Sequence, residues 1–380
     1  MMVNGGVVRI CAARTNSRSI KLAAFERNRI NIMKKNAVVI GYGGMGGWHT
    51  ERLLKSDVVN LLGIYDIKEE RRELARSRGI FAYDSLEDVL NDERVELCTV
   101  AIPNDQHRAV CIRALDAGKN VICEKPVALS SADLDAMIEA SERNHKLFAV
   151  HQNRRWDVDY LAMKHLCESG EIGDIFNIES RIHGSRGIPS DWRGEKAYGG
   201  GMLYDWGVHL IDQMLLLIPE KIETVYCRFD HITNQEVDDG FKLELNFEGG
   251  ARAYIEVGTY NFIAMPRFYI QGSKGTGLIR DWRENCQVAV CTHWHESEVL
   301  PVETAAGLTK TMAPRDSVTL KEYELERPHS DVHDYYRNFC AAIDGREQQI
   351  VTHAQMRRVI RVIEAAFASV EQNSVISFNA

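Results

Sequence analysis

Three features that would assign this chain to other classes of protein are missing from its 380 residues. No apolar run approaches the ~20 residues that a helix needs to span a bilayer. No stripe rich in lysine and arginine stands out, and the formal net charge of −8 argues against nucleic acid as a partner. The nine cysteines are scattered singly, without the spacing of a disulfide framework. We therefore expect a reduced, cytoplasmic protein without membrane or nucleic-acid partners.

The first 32 residues differ in composition from the rest of the chain. Basic residues outnumber acids between positions 9 and 29, where Glu26 is the one acidic side chain. This composition resembles a transit peptide. We favour an N-terminal extension or a start assigned too early, because Met33 leads directly into a predicted strand. The length and the 45% hydrophobic content suit two cores. We predict a poorly ordered extension over 1–34, a first domain over 35–150 and a second over 151–380.

A glycine motif opens the first domain. The apolar run 37–41 predicts a short strand, and a helical pattern follows it. Between the two lies a turn that we expect to bind a dinucleotide, formed by Gly41, Tyr42, Gly43, Gly44, Met45 and Gly46. Gly41 permits the tight turn, and Gly43 lets the backbone approach a pyrophosphate. Free N–H groups at the helix N-terminus would bind that pyrophosphate.

The end of the second strand indicates which dinucleotide binds. This strand, over 58–65, is followed by Asp66. A carboxylate there can accept hydrogen bonds from both ribose hydroxyls of NAD, and it repels the 2′-phosphate of NADP. Lys68, Arg71 and Arg72 could instead reach a phosphate, or they form a solvated helix face. We predict NAD as the cofactor, with NADP less favoured.

Strands and helices continue to alternate in the first domain. Predicted strands over 95–102 and 120–123 flank a helix over 108–117, a spacing typical of a parallel, doubly wound sheet. Ligands bind such sheets beyond the carboxyl ends of the strands, where Asn104 and Lys125 lie. Lys125 is therefore predicted to reach the nicotinamide. The alternative is a surface lysine in a loop.

The second domain has the pattern of a sheet covered by helices. Its strands are predicted over 147–156, 174–183, 222–231, 239–247, 251–259 and 266–272. Its helices are predicted over 157–169, 202–217, 331–344 and 353–371.

The helix over 202–217 carries three polar residues on one face. Asp205, His209 and Asp212 stand at positions i, i+4 and i+7. Apolar residues such as Leu210 and Met214 indicate that this helix is largely buried. Three buried polar groups on one face predict a site more than a solvated edge.

Four motifs in this order resemble the Gfo/Idh/MocA family of sugar and cyclitol oxidoreductases. They are GYGGMG at 41–46, AIPNDQH at 101–107, EKPVALS at 124–130 and GGGMLYDWGVHLID at 199–212. The resemblance implies an α/β protein with an N-terminal Rossmann domain, whose parallel sheet is doubly wound. It also implies a C-terminal α/β domain with a large, open-faced, mostly antiparallel sheet, and a homodimer or homotetramer formed through that sheet. Lys125, Asp205 and His209 match the catalytic residues of the family.

These residues suit the oxidation of a secondary alcohol with NAD. His209 is the expected general base, because its ordinary pKa lies near working pH. Lys125 stabilises the developing alkoxide, although Lys125 as the base is a variant. Asp205 orients the imidazole or binds a substrate hydroxyl. Further cofactor contacts are expected from Ile102, Pro103, Asn104, His107 and Glu124. Further substrate contacts are expected from Arg154, Trp192, Arg193 and Asp212, unless Arg193 pairs with Asp191 or an acid of the other domain.

Several functions remain open on the sequence. The favoured one is an NAD-dependent dehydrogenase that acts on a sugar, an inositol, or a glycoside, for example at C3 of a glucosyl unit. A sugar–sugar oxidoreductase with tightly bound cofactor and a non-catalytic NAD-binding regulator are the alternatives. The family's NAD-dependent glycosidases differ in their second-domain motif. We expect no metal, since His293 and His295 lack further ligands at known spacing and suit an exposed strand. His329, Asp331 and His333 could border the active site.

Overall fold

The computed structural model describes residues 33–293 and 299–378. Residues from Lys35 onward pack as one compact unit that contains two large sheets. The predicted N-terminal extension lies outside the described residues, except for Met33 and Lys34. Within the described part of the chain, no helix is both long and apolar enough to cross a membrane.

The first sheet has five parallel strands. They are β1 (Lys35–Ile40), β2 (Val59–Tyr65), β3 (Leu97–Val100), β4 (Asn120–Cys123) and β5 (Phe148–Val150). Their order in the sheet is β2-β1-β3-β4-β5. The helices between them are α1 (Gly44–Leu53), α2 (Glu69–Ser77), α3 (Leu86–Asn91), α4 (His107–Asp116) and α5 (Ser131–Arg143). This arrangement confirms the Rossmann fold predicted for the N-terminal part.

Burial explains why these strands have continuous apolar sequences. Every residue of β3 and β4 is buried, because helices cover both faces of a parallel sheet. The strand expected over 147–156 is shorter than predicted, since β5 stops at Val150 and a 3₁₀ turn follows at Asn153–Trp156. The two arginines of that turn pair with acidic side chains, Arg154 with Asp157 and Arg155 with Asp212. We propose Val150 as the end of the first domain.

The second sheet has nine strands. They are β6 (Ile175–His183), β7 (Ile222–Asp230), β8 (Gly240–Phe247), β9 (Arg252–Gly258), β10 (Phe268–Gly272), β11 (Gly275–Ile279), β12 (Cys286–Cys291), β15 (Leu320–Leu325) and β16 (Ile376–Ser377). Their order is β15-β12-β11-β10-β6-β9-β8-β7-β16. Neighbours run antiparallel except β6 and β9, which run parallel. A separate hairpin pairs β13 (Val302–Thr304) with β14 (Gly307–Thr309).

One face of this sheet packs against helices. The helices of this half are α6 (Val158–Ser169), α7 (Val208–Leu217), α8 (Asp334–Ile343) and α9 (His353–Gln372). In β8, Phe241, Leu243 and Leu245 are buried, while Lys242 between them is exposed. The buried side belongs to the core that α7 and α9 cover. The predicted alternation of β8 is therefore confirmed.

Two predicted helices begin differently from expectation. The helix expected over 202–217 starts with a π-helical turn, Leu203–Gly207, before α7. The helix expected over 331–344 is α8, which begins only at Asp334. Our sequence analysis also missed α3, α5, β11, β13, β14, β15 and β16, and it placed an exposed strand near His293 and His295, whereas β12 ends at Cys291.

Candidate active site

Lys125 and Asp205 meet across the two halves of the chain. Lys125 follows β4, and its Nζ donates to the backbone oxygen and to Oδ1 of Asp205, at 2.9 Å each. Asp205 lies in the π-helical turn, and such turns are frequent at functional sites. An ammonium group has three N–H donors. The third donor of Lys125 has no partner among the described residues and remains available to a ligand.

Arg193 holds the other oxygen of the same carboxylate. Its Nε donates to Asp205 Oδ2 at 3.1 Å, and its Nη1 donates to Asp191 Oδ2 at 2.9 Å. Of the two alternatives that the sequence left open for Arg193, the pairing with Asp191 forms, and the second carboxylate, that of Asp205, belongs to the same predicted domain. Burial raises the pKa of Asp205, but the charges of Lys125 and Arg193 outweigh burial and bring its pKa below the ordinary value. Asp205 thus stays ionised and holds two cations in place.

His209 lies one helical turn beyond Asp205 and is 3% exposed. Its Nδ1 lies 3.0 Å from Oε1 of Gln152, which is also buried. Burial, followed by the nearby charges of Lys125 and Arg154, holds the pKa of His209 well below its ordinary value. The imidazole is therefore neutral at neutral pH. Gln152 was missed by the sequence analysis, and its place just beyond β5 was the available signal.

Asp212 forms an ion pair with Arg155. Arg155 Nε and Nη2 donate to its two carboxylate oxygens at 2.7 and 2.6 Å. Both residues are buried. Because both oxygens are occupied in a fully buried ion pair, the structure does not support the substrate contact expected of Asp212. The pair instead ties the chain after β5 to α7.

Arg154 lies in an aromatic wall close to His209. Its guanidinium carbon lies 4.2 Å from the ring centre of Trp206 and 5.6 Å from that of Trp282, distances at which the cation is attracted to the rings. Its Nη1 donates to Asp157 at 2.9 Å. The Arg193 guanidinium lies 4.5 Å from the ring centre of Trp192. Sequence reasoning singled out Trp192 but missed Trp206 and Trp282.

The glycine turn has the close backbone contacts that the motif predicts. Gly41 has φ +97°, and a Cβ there would come within 2.2 Å of the Ala101 oxygen. A Cβ on Gly46 would come within 1.8 Å of the Gly41 oxygen. Any side chain at either position would therefore disrupt the turn. Around Gly44 no atom lies within 4 Å of an added Cβ.

Asp66 is buried at the end of β2. Its carboxylate accepts hydrogen bonds from the backbone N–H of Tyr42 at 2.7 Å and of Lys68 at 2.9 Å. Arg71 Nη1 lies 3.2 Å from Asp66 Oδ2 and would lie 3.3 Å from a Cβ on Gly43. Arg72 points elsewhere, donating to the Asp66 backbone oxygen and to Glu69. Of the three basic residues noted in the sequence, Arg71 therefore faces the glycine turn.

The side chains of Asn104 and His107 connect loops. Asn104 Nδ2 donates to the Tyr198 carbonyl at 3.2 Å, and the two ring nitrogens of His107 each lie 3.0 Å from a carbonyl oxygen, those of Ile102 and Pro126. Burial lowers the pKa of His107 despite these contacts. The cofactor contacts expected of this loop stay a prediction.

The Glu124 side chain lies in a buried polar cluster. Its Oε1 accepts from His49 Nε2 at 2.8 Å and from His151 Nδ1 at 2.7 Å, while Tyr336 donates to His49 Nδ1 at 2.8 Å. Burial raises the pKa of Glu124, but the two imidazoles outweigh burial and lower it well below the ordinary value. Glu124 Oε2 accepts the backbone N–H of Lys125. The side chain of Glu124 is thus engaged by His49, His151 and the backbone of Lys125, and its expected cofactor contact stays a prediction.

Three side chains of this cluster, those of His49, Glu124 and His151, could converge on a metal ion, because their ligand atoms lie within 4.8 Å of one another. Ligands about 2.0 Å from a tetrahedral zinc lie roughly 3.3 Å apart. Both imidazoles instead contact a single carboxylate oxygen at hydrogen-bond distance. We interpret the cluster as hydrogen-bonded structure.

The remaining candidates lie after β12 and around the start of α8. His293 is exposed just after β12, and His295 lies outside the described residues. His329 is exposed. Asp331 accepts a hydrogen bond from Arg337 and lines a cavity of about 280 Å³ together with Trp48 and Tyr335. His333 is half-buried at the start of α8.

Comparison with known proteins agrees with this fold. Residues 35–152 match the model of the oxidoreductase family with an NAD-binding Rossmann fold, and residues 160–277 match the GFO/IDH/MocA C-terminal domain. The fold and the glycine turn thus define an NAD-binding oxidoreductase. The chain belongs to the Gfo/Idh/MocA family.

Three individual proteins illustrate the similarity within this family. The chain is similar to an NAD-binding protein from Listeria innocua of solved structure, with 42% identity, a TM-score of 0.88, and coverage of 91% of this chain and 100% of that one. It is 28% identical to the scyllo-inositol 2-dehydrogenase (NADP(+)) of Bacillus subtilis, over 92% of this chain and 97% of that protein. It is 31% identical to the inositol 2-dehydrogenase of Salmonella typhimurium, but over only 52% of this chain and 58% of that protein.

Proposed function

We propose that this protein is an NAD-dependent dehydrogenase that oxidises a secondary hydroxyl of an inositol, a sugar or a sugar glycoside. The observation that carries the proposal is the group around Asp205. A lysine from the end of β4 is held at 2.9 Å from its carboxylate, and a neutral histidine lies one turn further along the helix. These are the hydrogen-bond donor and the proton acceptor that the oxidation of an alcohol requires.

The residues of the first sheet fit a dinucleotide. Gly41 and Gly46 leave no room for a side chain, and α1 begins within the same turn, so that its free N–H groups can receive a pyrophosphate. The Asp66 carboxylate accepts a hydrogen bond from the Tyr42 N–H of that turn. At this position it can also accept hydrogen bonds from ribose hydroxyls. We propose that these groups hold NAD, which would supply the hydride acceptor when bound.

The chain's own residues would then handle the proton and the developing charge. His209 Nε2 would take the proton from the substrate hydroxyl, while the carbon that bears this hydroxyl gives up a hydride. Lys125 donates its third N–H to the substrate oxygen and stabilises negative charge there before the carbonyl forms. Asp205 holds the Lys125 ammonium in position through two hydrogen bonds. Lys125 as the base is the alternative to this assignment.

The wall beside His209 suits a ring with many hydroxyl groups. Trp206 offers an aromatic face, and the guanidinium groups of Arg154 and Arg193 have N–H donors for hydroxyl oxygens. Trp192 lies against Arg193. The names of two relatives, both inositol dehydrogenases, make inositols the first substrates to test.

A substrate panel tests this function. The panel contains myo- and scyllo-inositol, free sugars and glucosides, and the rate at which NADH absorbance increases is compared between them. We expect turnover with at least one of these substrates. Mass spectrometry of the purified protein shows whether nucleotide is retained, as a sugar–sugar oxidoreductase would require. Retained NAD with turnover only when a second sugar is added as acceptor would indicate the sugar–sugar oxidoreductase. Retained NAD without turnover under either condition would contradict the dehydrogenase and support a non-catalytic NAD-binding regulator.

We also propose that the chain forms a homodimer or homotetramer through the outward face of the second sheet. On β6 and β9 this face carries Arg181 between Glu179 and Glu256, with Tyr254 beneath the guanidinium. A half-buried polar and aromatic surface of this kind is typical of an interface rim and core. Analytical ultracentrifugation should show a dimer or tetramer that a Tyr254→Glu substitution dissociates. A monomer at micromolar concentration would refute the proposal.

A further inference from the structure

The contacts of Gln152 determine which nitrogen of His209 carries the proton. Gln152 is 1% exposed and follows β5 by two residues. Its Nε2 donates to the backbone carbonyl of Val208 at 3.3 Å, and its Oε1 lies 3.0 Å from His209 Nδ1. One amide side chain therefore contacts both the backbone and the imidazole at the start of α7.

The orientation of this amide follows from hydrogen-bond chemistry. The Val208 carbonyl can only accept, so the NH₂ group of Gln152 must face it. The amide oxygen then faces His209, and because it also only accepts, Nδ1 must carry the hydrogen. A neutral imidazole has one N–H. Nε2 is left with a free lone pair, and none of the described residues hydrogen-bonds to it.

We propose that Gln152 is a positioning residue that selects the Nδ1–H tautomer of His209 and thereby leaves Nε2 as the proton acceptor. This inference rests on the proposed dehydrogenase function and adds a residue to it. In the opposite tautomer, Nε2 would carry a hydrogen and could not accept the substrate proton. The tautomer of an imidazole is set by the partner of its other nitrogen.

The surroundings of His209 leave Gln152 as the group that decides the tautomer. The charged and titratable groups that act on the imidazole are Lys125, Arg154, Glu124 and His151. None of them hydrogen-bonds to either ring nitrogen within the described part of the chain. The two cations disfavour the imidazolium, whereas the hydrogen bond with Gln152 acts on one nitrogen of the neutral ring.

The proposal is tested by Gln152→Leu and Gln152→Glu. Leucine cannot accept from Nδ1, so we expect kcat to fall at least about tenfold. Glutamate restores an acceptor, and its negative charge stabilises the imidazolium and raises the pKa of His209. Gln152→Glu should therefore recover most of the lost kcat, with the acidic limb of the pH profile of kcat/KM moved to higher pH.

Gln213→Leu is the matched control. Gln213 is also a buried glutamine, and it ties α7 to the 3₁₀ turn at Asn153–Trp156 by donating to the Arg154 carbonyl at 2.9 Å. Its side chain also accepts from Arg267, and among the described residues it forms no hydrogen bond to His209. The position of the acidic limb should stay unchanged in Gln213→Leu, whereas a general loosening of α7 would alter both leucine variants alike.

Nitrogen NMR of histidine-labelled protein tests the tautomer without substrate or turnover. His209→Asn assigns the signal among the 13 histidines. We expect a protonated Nδ1 and a bare Nε2 in the wild type, and loss of that preference in Gln152→Leu. A protonated Nε2 in the wild type, or a Gln152→Leu enzyme within twofold of wild-type kcat, would overturn the proposal. The expected tautomer in a protein without dehydrogenase activity would instead refute the proposed function alone.

Discussion

Replacing Lys125 by methionine is expected to lower kcat at least about 100-fold, because the developing alkoxide loses its charged hydrogen-bond donor. His209→Asn should lower kcat by a similar factor through loss of the proton acceptor. NAD binding, measured by calorimetry or fluorescence titration, should stay near wild type in both variants. The rates come from NADH absorbance with the best substrate of the panel.

The pH dependence gives the Lys125 prediction a second readout. His209 acts as a base only when neutral, and its pKa lies well below the ordinary value. Wild-type kcat/KM should therefore be flat through neutral pH and fall only in acid. Removing the Lys125 charge weakens one cause of that depression, so the pKa of His209 rises. The acidic limb of Lys125→Met should move to higher pH.

Lys119→Met is the matched control for Lys125. Lys119 lies at the opposite end of β4, is 5% exposed, and donates to the Asp92 carbonyl at 2.8 Å. This variant removes a buried, hydrogen-bonded ammonium from the same strand without touching Asp205. We expect a loss of thermal stability but unchanged kcat. Full activity in Lys125→Met, or an equal loss in both lysine variants, would contradict the proposed role.

Asp66→Asn is expected to lower the preference for NAD over NADP by at least about tenfold. A hydrogen bond to a charged group contributes ≈ 1.5–3 kcal/mol, and 1.4 kcal/mol corresponds to a factor of ten. Removing the charge also ends repulsion of a 2′-phosphate. Arg71, which lies 3.2 Å from Asp66, would then be free to pair with that phosphate. The ratio of kcat/KM values for the two cofactors measures the change.

The double variant Asp66→Asn/Arg71→Gln separates the two residues. We expect it to lose the gained use of NADP while NAD remains weakened. Arg76→Gln provides the control, since Arg76 lies on α2 as well but pairs with Glu69 and Asp84. It should leave the cofactor ratio unchanged. If Asp66→Asn keeps the wild-type ratio, the ribose role of Asp66 is refuted.

Local sequence patterns were sufficient for much of the fold. The glycine turn, Asp66 and the apolar strands before Asn104 and Lys125 follow from short-range rules, because a parallel strand buried on both faces has a continuous apolar sequence. The spacing of Asp205 and His209 placed them on one helix face. That Lys125 meets Asp205 came from the family resemblance, since the two residues are far apart in sequence.

The partners of the site residues depended on the tertiary structure. Asp212 stands on the predicted face, yet Arg155 occupies both its oxygens. Glu124 lies in the predicted motif, but its side chain binds His49 and His151. Each of these polar groups is buried, and a buried polar group takes whichever partner the fold brings to it.

The sequence by itself determined the residue types at the carboxyl ends of the strands and the period of the helix that carries Asp205 and His209, since both are properties of neighbouring residues. Only the tertiary structure decided that Gln152 contacts the His209 ring, that Trp206 and Trp282 flank Arg154, and that β6 and β9 run parallel. These contacts join residues distant in sequence. No local period encodes them, because they form only when the two sheets and their helices pack together.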